Sequence, residues 1–322
     1  MGSLARPVVC IVTPGTRSAN NGNWRTGARW SEMLRDRYKI ILQTSWDGAR
    51  ADVLLALHAK RSAASVGKFS AAHPEKGIGV VLSGTDLYRD LAAHDAQAIR
   101  TLDLAHRIVA LQEDALSLLR PAWKRKTEVI FQSARVLARA RKPSSSLGCV
   151  AVGHLRDEKD PRTLFAAMQM LPPDLPITVR HIGAPLDESL AKAAVALARH
   201  DARYRYVGAL PHGLARAAIK SAHLLVHPSK MEGGANVIVE AVTSATAVLA
   251  SRVSGNVGML GRGYGGFFEP GDASGLARCL VQAFEDREYL RALERQCALR
   301  RPLFSPTAER RALLHLVTKL LR

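Results

Sequence analysis

Short apolar runs alternate with amphipathic stretches along almost the whole of this chain, and that rhythm limits the fold more than any other feature. In the first half the runs fall at 8–13, 39–42, 53–57, 78–82, 107–111 and 128–131, with a helix predicted over about 23–37. Residues 138–148, ARARKPSSSLG, then bring charges, a proline and three serines together, the composition of a linker. Beyond it the rhythm restarts, with strands predicted at 149–152, 177–182, 204–207, 224–226 and 247–250 and helix from 275 onward. Pro302 and Pro306 interrupt that last region, so a final helix over 305–322 can return to the first domain. The expected fold class is α/β: two doubly wound, Rossmann-like parallel-sheet domains, 1–140 (joined by 305–322) and 146–304. Ligands of such sheets bind beyond the carboxyl ends of the strands, so two domains facing each other would share a central cleft.

A chain of 322 residues with 47% hydrophobic content can bury two cores. It has no apolar run of 18 residues and no hydrophobic leader ahead of residue 8, which leads to the expectation of a cytoplasmic protein that binds no membrane. Cys10, Cys149, Cys279 and Cys297 are far apart and form no CxxC pair, so they read as small apolar residues rather than disulfides or zinc ligands. The formal charge of +18 raises nucleic acid as a partner. However, the basic residues are spread evenly, without a recognition helix, zinc-finger spacing or aromatic RNA-binding motif, so no nucleic-acid partner is expected. Small anionic substrates suit the same charge, which raises their local concentration.

The densest chemistry lies in HLLVHPSKMEGGANVIVE, residues 223–240. A buried strand runs into Gly233-Gly234 and a new helix starts near Ala235; the amides of Gly233, Gly234, Ala235, Asn236 and Val237 form a seat for phosphate oxygens. Glu232 stands before that seat and Glu240 two turns into the helix. Two carboxylates around an anion site make sense if they accept from hydroxyls, and a sugar nucleotide offers hydroxyls at both ends. Arg156 and Lys159 follow the first strand of the second domain, placed to meet a diphosphate as its charge develops; His154 beside them reads as structural. Tyr204, Tyr206 and His212 lie where a base could stack, although core packing explains the tyrosines equally well. The turn at 251–256 is assigned a shaping role.

In the first domain the loop after strand 8–13 is rich in Gly and Asn and ends in Gly22, Asn23, Arg25 and Thr26, without Walker or G-x-G-x-x-G spacing. His58, Lys60 and Arg61 follow strand 53–57, where the two cations either meet an anionic acceptor or stand as solvated charges at a helix start. Thr85 and Asp86 follow strand 78–82; Thr85 reads first as a helix cap, with ligand contact as the alternative.

Arg156, Lys159, Glu232-Gly233-Gly234 and Glu240 together resemble the nucleotide-sugar half of retaining GT-B glycosyltransferases of the family-four type, across nearly the whole second domain. The resemblance implies that Glu232 contacts the donor sugar, that Glu240 holds the ribose hydroxyls, and that Arg156 and Lys159 neutralise the diphosphate. The arginine that usually follows the glycine is His154 here, so Arg156 must supply the second cation. GNWRTGARW, ALHAKRSA, LSGTDLYRDL, VGHLRDEKDP and SRVSGNVGMLG, spanning both domains, are similar to the selenosugar synthases of selenoneine biosynthesis. That similarity implies a carbon–selenium bond between the anomeric carbon of a UDP-hexose, such as UDP-N-acetylglucosamine, and selenophosphate. UDP and phosphate are released, and the selenosugar passes to a downstream enzyme. Gly22, Asn23, Arg25, Thr26, Lys60, Arg61 and Thr85 would then bind the acceptor, with His58 or Asp86 activating water for phosphate removal. No metal or cofactor is expected. The alternatives are a conventional hexosyltransferase acting on a hydroxyl, and a noncatalytic polyanion-binding protein on the same scaffold.

Overall fold

The computed structural model describes residues 6–15 and 22–322. The chain forms two units, Met1–Gln132 with Pro306–Arg322, and Ser133–Ser305.

The first unit runs β1 (Val8–Val12), α1 (Gly22–Leu34), β2 (Lys39–Gln43), β3 (Val53–Leu57), α2 (Ala63–Ala72), β4 (Gly77–Val81), α3 (Ala96–Leu104), β5 (Arg107–Ala110), α4 (Pro121–Lys124) and β6 (Thr127–Val129). Its strands are parallel in the order β2-β1-β3-β4-β5-β6. The central strands VLLAL and GIGVV are buried at every residue, as a parallel sheet covered on both faces requires.

The second unit runs β7 (Leu147–Val152), α5 (Pro161–Met170), β8 (Ile177–Ile182), α6 (Glu188–His200), β9 (Tyr204–Tyr206), α7 (His212–Ser221), β10 (Leu224–His227), α8 (Asn236–Thr243), β11 (Ala247–Ser251), α9 (Ser254–Leu260), β12 (Phe267–Phe268), α10 (Ala273–Glu285) and α11 (Arg287–Arg300). Its parallel order, β12-β11-β10-β7-β8-β9, reverses direction between β7 and β10, which puts a crevice at the carboxyl ends of those two strands. Asp187, Asp272 and Asp286 cap α6, α10 and α11 through their carboxylates, satisfying amides that have no intrahelical acceptor.

The last helix, α12 (Pro306–Leu320), belongs to the first unit. Leu313, Leu316, Val317 and Leu320 enter its core, and Glu309, 2% exposed, accepts from Trp30 Nε1 at 2.8 Å and Arg29 Nε at 3.0 Å. A Cβ at Gly77 would lie 2.1 Å from the Leu320 carbonyl, so β4 admits α12 only because glycine stands there.

The division between the units lies ahead of the proline- and serine-rich stretch. Just ahead of that stretch, Ala134 N–H bonds the Phe304 carbonyl (3.2 Å) and Leu137 N–H the Thr243 carbonyl (2.9 Å), and within it Arg139 forms an ion pair with Glu294, so these residues are tied to the second unit. Lys142 donates to the Ala245 carbonyl at 3.2 Å, and burial pushes its pKa down to about 8.

Candidate functional site

At the β7/β10 crevice of the second unit two loops meet. A backbone hydrogen bond from Lys230 N–H to the Glu158 carbonyl (3.0 Å) joins them, and Lys230 Nζ pairs with Asp157 at 2.8 Å. The junction brings Lys159, which follows β7, onto the carboxylate of Glu232, which follows β10. His227, the last residue of β10, approaches the same oxygen of Glu232 at 3.0 Å, and Ser229 Oγ lies 3.3 Å from the ring. Glu232 is 7% exposed. Burial by itself would raise its pKa, but Lys159 and His227 outweigh burial and hold it well below the usual carboxylate range. It therefore stays a fixed anion that accepts hydrogen bonds at every working pH.

The turn at 251–256 braces that carboxylate from behind. A Cβ on Gly255 would lie 1.8 Å from the Glu232 carbonyl oxygen, so α9 starts against the Glu232 backbone only because glycine is there. Asn256 Nδ2 donates to the Ser251 carbonyl at 2.9 Å and Ser251 Oγ to the Ser229 carbonyl at 2.5 Å.

Gly233 and Gly234 lead into α8, whose N-cap is Ala235. Alanine offers no capping oxygen, so the amides at Asn236 and Val237 are met by nothing from the cap side chain. Glu240, 7% exposed on α8, pairs through Oε1 with His212 Nε2 at 2.7 Å. Arg156 is exposed and only loosely paired with Glu158, at 3.8 Å. His154 is exposed and its Nδ1 accepts from Ala184 N–H at 3.0 Å. Of the three residues where a base could stack, Tyr204 is buried, Tyr206 half-buried and His212 exposed. Tyr204 is 1% exposed and packs on Phe165 and His181, Tyr206 donates to the Gly183 carbonyl, and His212 is engaged by Glu240.

The first unit has its own polar corner at the ends of β3 and β4. His58 has φ of +72°, a left-handed conformation rare outside glycine. Its Nδ1 lies 2.7 Å from Asp86 Oδ1 and its Nε2 2.9 Å from Thr85 Oγ1, with His58 2% and Asp86 0% exposed. Asp86 Oδ2 also accepts from Ser83 N–H (2.8 Å) and Ser83 Oγ (2.9 Å). The expectation that Thr85 caps a helix is overturned: its own backbone is helical and its side chain makes no capping bond, because Ser83 and Asp86 already serve each other and the Thr85 hydroxyl turns to His58.

Lys60 Nζ sits 2.6 Å from Asp95 and 4.0 Å from Asp90. Its charge is thus largely matched by neighbouring carboxylates, whereas Arg61 is exposed and makes no side-chain ion pair among the described residues. Gly22, Asn23, Arg25 and Thr26 form the first turn of α1, where Thr26, 2% exposed, returns its hydroxyl to the Gly22 carbonyl at 2.9 Å. Residues 16–21 of the Gly- and Asn-rich loop lie outside the described residues. His58, Asp86 and Asp90 are the imidazole and carboxylate donors, among the described residues, that could converge on a cation, with ligand atoms within 4.8 Å of one another. Most of those atoms are engaged: His58 by Asp86 and Thr85, Asp86 by Ser83, and Asp90 Oδ1 by Arg89 at 3.0 Å.

The sequence assigns no role to His227, and Gly255 enters only as part of the 251–256 turn with its shaping role. His227 looks like the polar end of an apolar strand and Gly255 like an ordinary turn glycine; only the approach of separate loops gives them roles. Among the described residues no helix is long and apolar enough to cross a membrane.

Two six-stranded, doubly wound parallel sheets, one carrying a cation–carboxylate pair at its strand-order reversal, define the GT-B class of two-domain glycosyltransferases. Residues 138–298, half of the chain, match the family described as glycosyl transferases group 1, and the chain belongs to that family. Its fold is similar to Anabaena Alr3699/HepE, solved in complex with UDP and glucose (TM-score 0.77, 14% identity, 98% of this chain and 100% of that one). It is also similar to sucrose-phosphate synthase from Thermosynechococcus elongatus (0.77, 16%, 98% and 99%). A third similar fold is the pneumococcal O-GlcNAc transferase GtfA, solved in complex with UDP and GlcNAc (0.67, 14%, 84% and 57%). No curated protein sequence matches the chain.

Proposed function

We propose that this glycosyltransferase takes its hexosyl group from a UDP-sugar and transfers it to selenophosphate, forming a carbon–selenium bond and releasing UDP and phosphate. The observation that carries the donor half is the buried Glu232 carboxylate clamped by Lys159 and His227 beside the uncapped start of α8. In this reading Glu232 accepts from hexose hydroxyls, and Lys159, Arg156 and the amides from Gly233 to Val237 meet the diphosphate as it departs. Glu240 holds the ribose hydroxyls, with His212 steadying its carboxylate. Neither a metal nor another cofactor is needed, since fixed protein charges meet the leaving group. The UDP seen with HepE and GtfA supports the choice of nucleotide.

For the acceptor half, the support is the resemblance of five segments to selenosugar synthases, together with Arg25 and the exposed Arg61 on a unit rich in strand-end polar groups. Selenium in selenophosphate is a strong nucleophile and calls for positioning more than for a base. One observation favours a second reading, transfer to a hydroxyl: Lys60 is matched by Asp95 and Asp90, which lowers the positive potential available to an anion. Incubation with UDP-N-acetylglucosamine and either selenophosphate or an alcohol panel, with UDP release followed, separates the two. Release that depends on selenophosphate is expected; release with alcohols alone would overturn the acceptor assignment.

A further inference from the structure

The Thr85–His58–Asp86 chain in the first unit has the geometry of an activated hydroxyl. His58 Nδ1 lies 2.7 Å from Asp86 Oδ1, and with that nitrogen donating to the carboxyl oxygen, Nε2, 2.9 Å from Thr85 Oγ1, is the one placed to accept from the Thr85 hydroxyl. The aspartate is itself fixed by Ser83 through its second oxygen. Imidazole and aspartate are buried while Thr85 is half-buried, so the threonine hydroxyl is the outer end of a buried base and its orienting carboxylate. His58 keeps a left-handed backbone to stand there, held by its N–H on the Val81 carbonyl (2.8 Å) and its carbonyl on Ser62 N–H (3.0 Å). With both ring nitrogens engaged, direct activation of a water by His58 would first have to displace Thr85.

We propose that Thr85 is the nucleophile that removes the phosphoryl group of the acceptor, through a phosphothreonine; this rests on the selenophosphate reading above. After the carbon–selenium bond has formed, Thr85 Oγ attacks phosphorus. The Oγ–P bond forms and the P–Se bond breaks, its electron pair leaving on selenium as a glycosyl selenolate. The hydroxyl proton passes to His58 Nε2, the imidazolium is stabilised by Asp86, and the proton then leaves to solvent. Water next attacks the same phosphorus and gives a proton to His58. The Oγ–P bond breaks, Thr85 recovers its proton from His58, and inorganic phosphate departs. Arg61, three residues beyond His58 in sequence, supplies positive charge on the same loop.

The test measures UDP and phosphate together from UDP-N-acetylglucosamine and selenophosphate, with product masses. Wild type should release the two in a ratio near one. In T85V the phosphate-to-UDP ratio should fall at least tenfold and a phosphorylated glycosyl selenide should accumulate. T85S should keep a ratio near one, and acid-quenched wild type and T85S should carry phosphate at position 85. A T85V ratio near one, or no phosphate at position 85 in either quenched protein, would overturn the nucleophile while leaving the selenium reading intact. Absence of selenophosphate-dependent UDP release from wild type would overturn that reading, and this inference with it. Should T85V fail to fold, the quenched wild type and T85S still decide the matter.

Discussion

In the second unit a carboxylate, Glu232, sits between Lys159 and His227; in the first, a cation, Lys60, sits between Asp95 and Asp90, and the buried imidazole of His58 faces Asp86. Both arrangements stand at carboxyl ends of parallel strands and both draw on the same few residue types. What differs is which group outnumbers the other. A lysine and an imidazole around one carboxylate keep an anion charged in a buried place, and in the proposed reading that corner accepts from sugar hydroxyls while Lys159 meets phosphate. A carboxylate behind an imidazole instead orients a ring to take a proton. In the proposed reading the two corners serve different tasks, donor binding and departure in one and proton transfer in the other, and each can be broken separately.

Glu232→Ala should have the largest effect, because in the proposed reading it removes the group that accepts from the donor sugar, and it leaves Lys159 and His227 without the carboxylate between them. A fall in turnover of about 10²-fold or more is expected, comparable to loss of an oriented electrostatic group in an active site, in a UDP-release assay. Next comes Gly255→Ala, whose methyl group would press on the Glu232 carbonyl. A loss of stability of about 1–3 kcal/mol by urea denaturation is expected, as for overpacking. Unchanged stability would show that the 251–256 turn is not bound to Glu232.

Glu240→Ala should raise the UDP-sugar dissociation constant about tenfold, ~1.4 kcal/mol, by calorimetry. Unchanged affinity would remove Glu240 from the donor site. A pH-dependent effect concerns His181, whose burial against Tyr204 pushes its pKa down to about 4. Its folded pKa lies below the unfolded value of about 6.5, so the unfolded chain binds more protons between those values, and stability should fall as pH drops from about 6.5 to 4. His181→Gln should flatten that part of the urea-midpoint profile; an unaltered slope would assign it to other groups. Chelation with EDTA should have the smallest effect, leaving turnover within about twofold if fixed charges alone meet the leaving group.

Much of the fold was legible because apolar runs mark buried parallel strands. Residues 53–57 and 177–182 were placed to the residue, since each run ends abruptly in polar or glycine sequence. The two-residue β12 was missed, being too short to show any period. Within the stretch expected as a linker, Lys142 and Arg139 look solvated in sequence, yet both bind the second unit. In the site, spacing pointed to Glu232, Glu240 and Lys159, whose strand-end positions follow from the βα rhythm. Contacts between loops were not legible. Lys159 meets Glu232 from 73 positions away, Thr85 meets His58 from 27, and nothing local in either segment announces the partner.

The most direct measurement is mass spectrometry of the products formed from UDP-N-acetylglucosamine and selenophosphate. A selenium-containing hexose, formed together with UDP and phosphate, is the predicted result. UDP-sugar left intact with selenophosphate but consumed with a hydroxyl acceptor would contradict the carbon–selenium assignment.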